Sequence, residues 1–158
     1  MLEKALAKIL TKKRKTLSVA ESCTGGLISN RLTNIPGSSK YFKAGIIAYS
    51  NEVKIRQLKI PSRIIKQKGA VSKEVATYMA RNIRKITKSD FGLGITGIAG
   101  PTGGTKTKPT GLVYIALSSR QKQINRKYNF KGKRNLIKRK SSTAAIKLLK
   151  DFLIKKNA

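Results

Sequence analysis

The stretch "TLSVAESCTGGLISNRL", Thr16–Leu32, reads as a strand, a loop and a helix in immediate succession. Thr16–Ala20 reads as a short strand. Glu21–Gly26 breaks that pattern with a polar, glycine-ended loop, and Leu27, Ile28, Arg31 and Leu32 resume at helical spacing. Working outward, Leu2, Ala5, Leu6, Ile9 and Leu10 predict an opening amphipathic helix to about Lys13, and "NIPGSS" stops the second helix. "YFKAGIIAYS" reads as a buried strand, after which Asn51 is placed to cap a helix carrying Val53, Lys54 and Leu58. Ser72 caps a further helix running to about Lys88, with Glu74 in its first turn. A glycine-rich strand, "DFGLGITGIA", leads into the loop Gly100–Gly111. "LVYIALSS" and "KQINRKYNF" follow as neighbouring antiparallel strands, and Arg134–Lys155 as a long closing helix. Strands alternating with helices imply an α/β fold: a single-domain three-layer α/β/α sandwich with a mixed central sheet, spanning residues 1–158.

Composition narrows the chemistry. The chain has 36 Lys+Arg against 6 Asp+Glu, a net charge of +30, and no histidine. Without histidine there is no Ser-His-Asp or Cys-His arrangement, and one cysteine adds no usual zinc site, so no metal is expected. A catalytic base near neutral pH must then be a lysine, a tyrosine, a carboxylate or a ligand. The single Cys23 permits no internal disulfide, no apolar run approaches a membrane span, and charges interrupt the N-terminal apolar stretch where a secretory signal would be continuous. A cytoplasmic protein with no membrane partner is expected. The positive charge favours non-specific binding to polyanions, although the basic residues are spread along the chain. Only Lys12–Lys15 and Lys131–Lys140 form clusters, without an RNP-type aromatic motif, basic zipper or zinc knuckle.

In an α/β sheet, sites form beyond the carboxyl ends of strands. Three loops qualify: Glu21–Gly26, Ser50–Lys54 and Gly97–Gly111. The first offers Ser22, Cys23 and Thr24 beside Gly25 and Gly26. A hydroxyl there serves as a nucleophile near free N–H groups or merely caps the helix, and spacing alone favours the cap. In the second, a lysine in the first turn of a helix, buried in a positive protein, has its pKa pushed down toward the neutral form that a Ser-Lys pair requires. An exposed helix lysine is the plain alternative. The third lacks the ending of a P-loop, yet its N–H groups or Lys106 and Lys108 suit a phosphate.

The blocks "VAESCTGGLISNRLTNIPGSSKYFKAGIIAYSNEVKIRQL", "GAVSKEVATYMA", "GITGIAGPTGGTKTKPTGLVYIAL" and "FKGKR" resemble, in order and spacing, the CinA C-terminal domain family of bacterial nicotinamide-nucleotide amidohydrolases. The resemblance implies cofactor-free deamidation of nicotinamide mononucleotide to nicotinate mononucleotide and ammonia, in the stand-alone form of the family, which forms homo-oligomers. It places the nucleophile on Ser22, its activating lysine on Lys54 and an accompanying tyrosine on Tyr49. Thr24, Gly25, Gly26, Thr96, Gly97, Gly100, Gly103, Gly104 and Arg134 become the expected substrate-binding set. One departure stands out: Lys133 in "FKGKR" occupies the place of an acidic or amide residue that would orient Arg134, which bears on substrate affinity. A basic nucleic-acid-binding module and an amidase fold without activity are the competing readings.

Overall fold

A computed structural model describes residues 1–155. Its core is a five-stranded sheet in the order β2-β1-β3-β4-β5, built from β1 (Leu17–Glu21), β2 (Phe42–Ile47), β3 (Phe91–Gly97), β4 (Leu112–Ser118) and β5 (Gln123–Asn129). β1 pairs in parallel with β2 and β3, whereas β3–β4 and β4–β5 are antiparallel, so the sheet is mixed. The helices are α1 (Leu2–Lys12), α2 (Leu27–Thr33), α3 (Asn51–Arg56), α4 (Ser62–Lys68), α5 (Lys73–Thr87) and α6 (Arg134–Lys155).

The two faces of the sheet differ in side-chain size, and this sorts the helices into layers. Leu17, Val19, Leu93, Ile95, Val113, Ile115 and Leu117 point to one face and pack with Leu6 and Leu10 of α1, Ile28 and Leu32 of α2, and Ile137, Ala145 and Leu149 of α6. The alternate positions are small: Ala20 packs with Val75, Met79 and Ile83 of α5, and Ala116 with Ala76 and Ala80. Glycines let α5 come closest. A Cβ at Gly92 would lie 2.1 Å from the Ala80 carbonyl oxygen, and one at Gly94 would lie 2.4 Å from the Ala80 nitrogen. Such contacts admit no side chain, so the light strand β3 is the floor on which α5 rests.

Three local features differ from the sequence reading. β2 is an edge strand whose residues alternate between half-buried and exposed, because β1 covers only one of its sides. Ser50, not Asn51, caps α3: its backbone is extended and its hydroxyl accepts from the Val53 N–H at 3.2 Å, leaving Asn51 as the first helical residue. α4 has no counterpart in the sequence reading, since it is seven residues long and buries only Ile65. The loop Gly100–Gly111 is folded onto itself: Thr105 and Lys108 exchange hydrogen bonds, and the Gly111 N–H donates to the Ile98 carbonyl at 2.7 Å. Ser72 caps α5 as the sequence predicts.

Candidate active site

Because β1, β2 and β3 run parallel, the loops after them emerge along one edge of the sheet. Glu21, the last residue of β1, is in register with Ile47 of β2 and Ile95 of β3. The ladder continues one step on each side, through Ala48 N–H to the Glu21 carbonyl at 2.8 Å and Ser22 N–H to the Ile95 carbonyl at 3.1 Å. Ser22 is thus held by the backbone before its side chain does anything.

Its side chain meets a lysine. Lys54 Nζ lies 2.9 Å from Ser22 Oγ and donates to the Tyr49 carbonyl at 3.0 Å. Lys54 is 2% exposed and Ser22 7%. Burial lowers the Lys54 pKa from 10.5 to about 8, with the neighbouring Cys23 acting weakly in the opposite direction. A lysine lowered this far reaches its neutral form close to physiological pH, which is what a general base for a serine requires. The same burial pushes Cys23 up to about 12, leaving it a thiol, which is a poor nucleophile.

The alternative role for Ser22 and Thr24, capping α2, falls to neither. Gly26 occupies the cap position, and Glu21 supplies the acceptor. This fully buried carboxylate turns back beneath the loop and takes five donors: the N–H groups of Gly26, Ile28 and Ser29, and the hydroxyls of Thr24 at 2.6 Å and Ser29 at 2.8 Å. Glu21 therefore sets the shape of the turn that presents Ser22. The sequence reading placed it in the loop without a role. The available signal was a rare acidic residue just ahead of a helix N-terminus.

The expected binding residues separate into those near the pair and those committed to structure. Arg134, at the start of α6, donates to the Gly100 carbonyl at 2.6 Å and to the Tyr49 hydroxyl at 3.0 Å, tying two of the three loops together. The Tyr49 hydroxyl is thereby on Arg134, and it is the Tyr49 carbonyl that meets Lys54. Thr96 is buried and its hydroxyl donates to the Ala70 carbonyl at 2.8 Å. Gly97 is small because β4 is close, with Val113 Cγ2 2.7 Å from where a Cβ would sit, while Gly100 and Gly104 both press against Thr110. Gly103 has a left-handed backbone in the exposed part of the loop. Gly25, also left-handed and exposed, and Gly26 border an open cleft of about 560 Å³ between α2 and α6. A cavity of about 600 Å³ between β5 and α6 shares no residue with the Ser22–Lys54 pair. Among the described residues no three Cys, Asp or Glu side chains cluster as metal ligands would, and no helix is long and apolar enough to cross a membrane.

Fold and site define an α/β protein with a buried serine–lysine pair at the carboxyl edge of a mixed sheet. The comparison with known sequences and structures gives the family. Residues 1–153 match the sequence model of the CinA C-terminal domain, and the chain belongs to that family. The CinA-like protein of Dictyoglomus turgidum is 50% identical over 153 residues, covering 97% of this chain and 37% of that protein. The chain thus spans little more than a third of that relative's length. Among solved structures, the competence/damage inducible protein CihA from Agrobacterium tumefaciens is 33% identical with a TM-score of 0.90, covering 94% of this chain and 93% of that one. The competence or damage-inducible protein from Enterobacter asburiae is 32% identical with a TM-score of 0.93, covering 96% of each chain.

Proposed function

We propose that the chain is an amidase acting on the carboxamide of nicotinamide mononucleotide, with Ser22 as nucleophile and Lys54 as its base. The observation that carries this reading is the 2.9 Å contact between Ser22 Oγ and a buried lysine whose pKa is lowered to about 8. Neutral Lys54 takes the Ser22 hydroxyl proton as Oγ bonds to the carboxamide carbon. Collapse of the tetrahedral intermediate breaks the C–N bond, and Lys54 returns the proton to the departing ammonia. Water then attacks the acyl-serine, giving its proton to Lys54, which passes it back to Ser22 Oγ as the carboxylate is released. The N–H group of Thr24 lies two residues after the nucleophile and has no hydrogen-bond acceptor among the described residues, which suits it to the developing oxyanion. The substrate itself comes from the family resemblance, as do a cytoplasmic setting in pyridine nucleotide recycling and a homo-oligomeric state.

The test is ammonia release from nicotinamide mononucleotide, set against free nicotinamide. Ser22→Ala and Lys54→Ala each abolish release if the reading holds. Full activity in Ser22→Ala, with loss only in Cys23→Ala, overturns the serine assignment. The net charge of +30 supports a second, accessory reading, non-specific polyanion binding, whose affinity falls steeply with salt and does not depend on Ser22.

A further inference from the structure

We propose that the hollow between β5 and α6 is a binding site for a small amphipathic anion, a carboxylate or sulfonate carried on an alkyl or aryl body. The site shares no residue with the Ser22–Lys54 pair and does not depend on the amidase reading.

The hollow follows from strand order. β5 is the outermost strand on its side of the sheet, and α6 packs chiefly on β4 and β3. Ile124, Arg126 and Tyr128 stand opposite Leu117, Ile115 and Val113 in the β4–β5 ladder, so they share the face that carries the large core side chains. At the edge of the sheet Ile124 and Tyr128 are only half-buried. The opposing wall is a single stripe of α6, in which Ala144, Leu148 and Phe152 recur every four residues. The space between the walls is about 600 Å³, within the range of roughly 300–1,000 Å³ that small ligands occupy. Both walls are fixed by aromatic contacts behind them. Phe152 meets Phe91 edge-on with ring centres 6.0 Å apart, and Tyr128 stacks on Phe130 at 5.1 Å.

Charge decides what the hollow accepts. Lys122, Arg126, Lys147 and Lys155 line it against one carboxylate, Asp151. The side chains of Lys122, Lys147 and Lys155 make no hydrogen bond or ion pair among the described residues, and Asp151 neutralises none of them. Arg126 donates from one nitrogen to the Asn125 carbonyl at 3.0 Å, which leaves the rest of its guanidinium fork without an acceptor. Burial raises the Tyr128 pKa, which keeps its hydroxyl a donor inside an apolar wall. An acid group therefore finds charge-assisted donors here, while an apolar body covers Ile124, Leu148 and Phe152. A cation of the same shape is repelled, and a wholly polar anion leaves the floor uncovered. A second copy of the chain fits poorly, because it would bring the same basic rim, in a protein of net charge +30, against this one.

Fluorescence titration with anilinonaphthalene sulfonate in about 0.15 M salt tests the site, with decanoate as competitor. Wild type binds a single equivalent of dye saturably. Decanoate displaces it, whereas decyltrimethylammonium and acetate do not. Arg126→Gln weakens binding of dye and decanoate about tenfold, as expected when a charge-assisted contact is lost. Leu148→Asp, which sets a carboxylate in the floor, weakens it at least as much. Lys127→Gln, which removes a charge from the opposite face of β5, leaves the affinity unchanged, as does Ser22→Ala. Urea midpoints of all four variants establish that they are folded. Displacement by decyltrimethylammonium as readily as by decanoate, or unaltered affinity in both Arg126→Gln and Leu148→Asp, overturns the proposal. Displacement by polyglutamate and not by decanoate assigns the face to an acidic protein segment and overturns it too. So does self-association, read by light scattering at the same concentrations, that excludes the dye and is abolished by Leu148→Asp, since a second copy then covers the hollow.

Discussion

Replacing Lys54 by methionine reverses the sign of a stability difference between pH 7 and pH 10. The folded pKa is about 8, against 10.5 for an unperturbed lysine. At pH 7 both folded and unfolded chains carry the proton, and holding the charged group in the buried site costs about 3 kcal/mol. Between pH 8 and 10.5 the folded lysine has lost its proton while the unfolded one still keeps it. The unfolded state then binds more protons, and stability rises with pH. By pH 10 the remaining cost is about 1 kcal/mol. Methionine has no such term, but it forfeits the two hydrogen bonds from Nζ to Ser22 Oγ and the Tyr49 carbonyl. Those contribute together about 2 kcal/mol. Lys54→Met is therefore more stable than wild type by about 1 kcal/mol at pH 7 and less stable by about the same at pH 10. Urea unfolding of both proteins across that range measures the difference, and subtracting the curves cancels the titration of the other lysines. A gap that stays constant with pH would show that Lys54 titrates normally and would remove the basis for its role as a base.

Four further outcomes follow from other contacts in the fold. Glu21→Gln puts an amide N–H₂ among five converging donors and lowers stability by roughly 2–4 kcal/mol in thermal unfolding, with the proposed amidase activity falling alongside. Gly94→Ala forces a Cβ to within 2.5 Å of the α5 backbone and costs about 1–3 kcal/mol, as overpacking does. Gly103→Ala, whose nearest neighbour is 3.7 Å away, incurs only the left-handed backbone penalty of about 1 kcal/mol. Arg134→Lys loses the fork that spans the Gly100 carbonyl and the Tyr49 hydroxyl, so the amides of Gly100–Gly111 exchange faster with solvent while global stability holds.

What the sequence made legible was local. Strand, turn and helix around Ser22, the Ser72 cap and the β4–β5 pairing all rest on contacts between near neighbours, and periodicity or capping chemistry reports those directly. What it hid depended on strand order. "YFKAGIIAYS" looks buried because it is apolar, and only its place at the edge of the sheet exposes Lys43, Gly45 and Ile47. The glycines at Gly92, Gly94 and Gly97 read only as a glycine-rich strand with no reason attached, but each is emptied by a neighbour far away in sequence: α5 for the first two, β4 for the third. Glu21 was passed over for a related reason. Its five partners lie within eight residues, yet a strand-end carboxylate folding back beneath its own loop leaves no periodic trace.

The Ser22–Lys54 distance, too, is a property of the sheet. Neither side chain selects the other: Ser22 is placed by the ladder from β1 to β3, and Lys54 by the α3 turn that follows β2. Their 2.9 Å contact exists because Glu21 is simultaneously in register with Ile47 and Ile95. Slipping either strand by one residue would move one partner by about 3.3 Å and turn its neighbours to the opposite face. The large/small alternation of β1 and β3 forbids that slip, since Leu17 and Val19 would meet α5 where only Ser18 and Ala20 fit. A chain without histidine can therefore hold a lysine beside a serine without relying on local sequence to do so. The depth that lowers the lysine pKa and the register that fixes its reach both come from packing the same five strands.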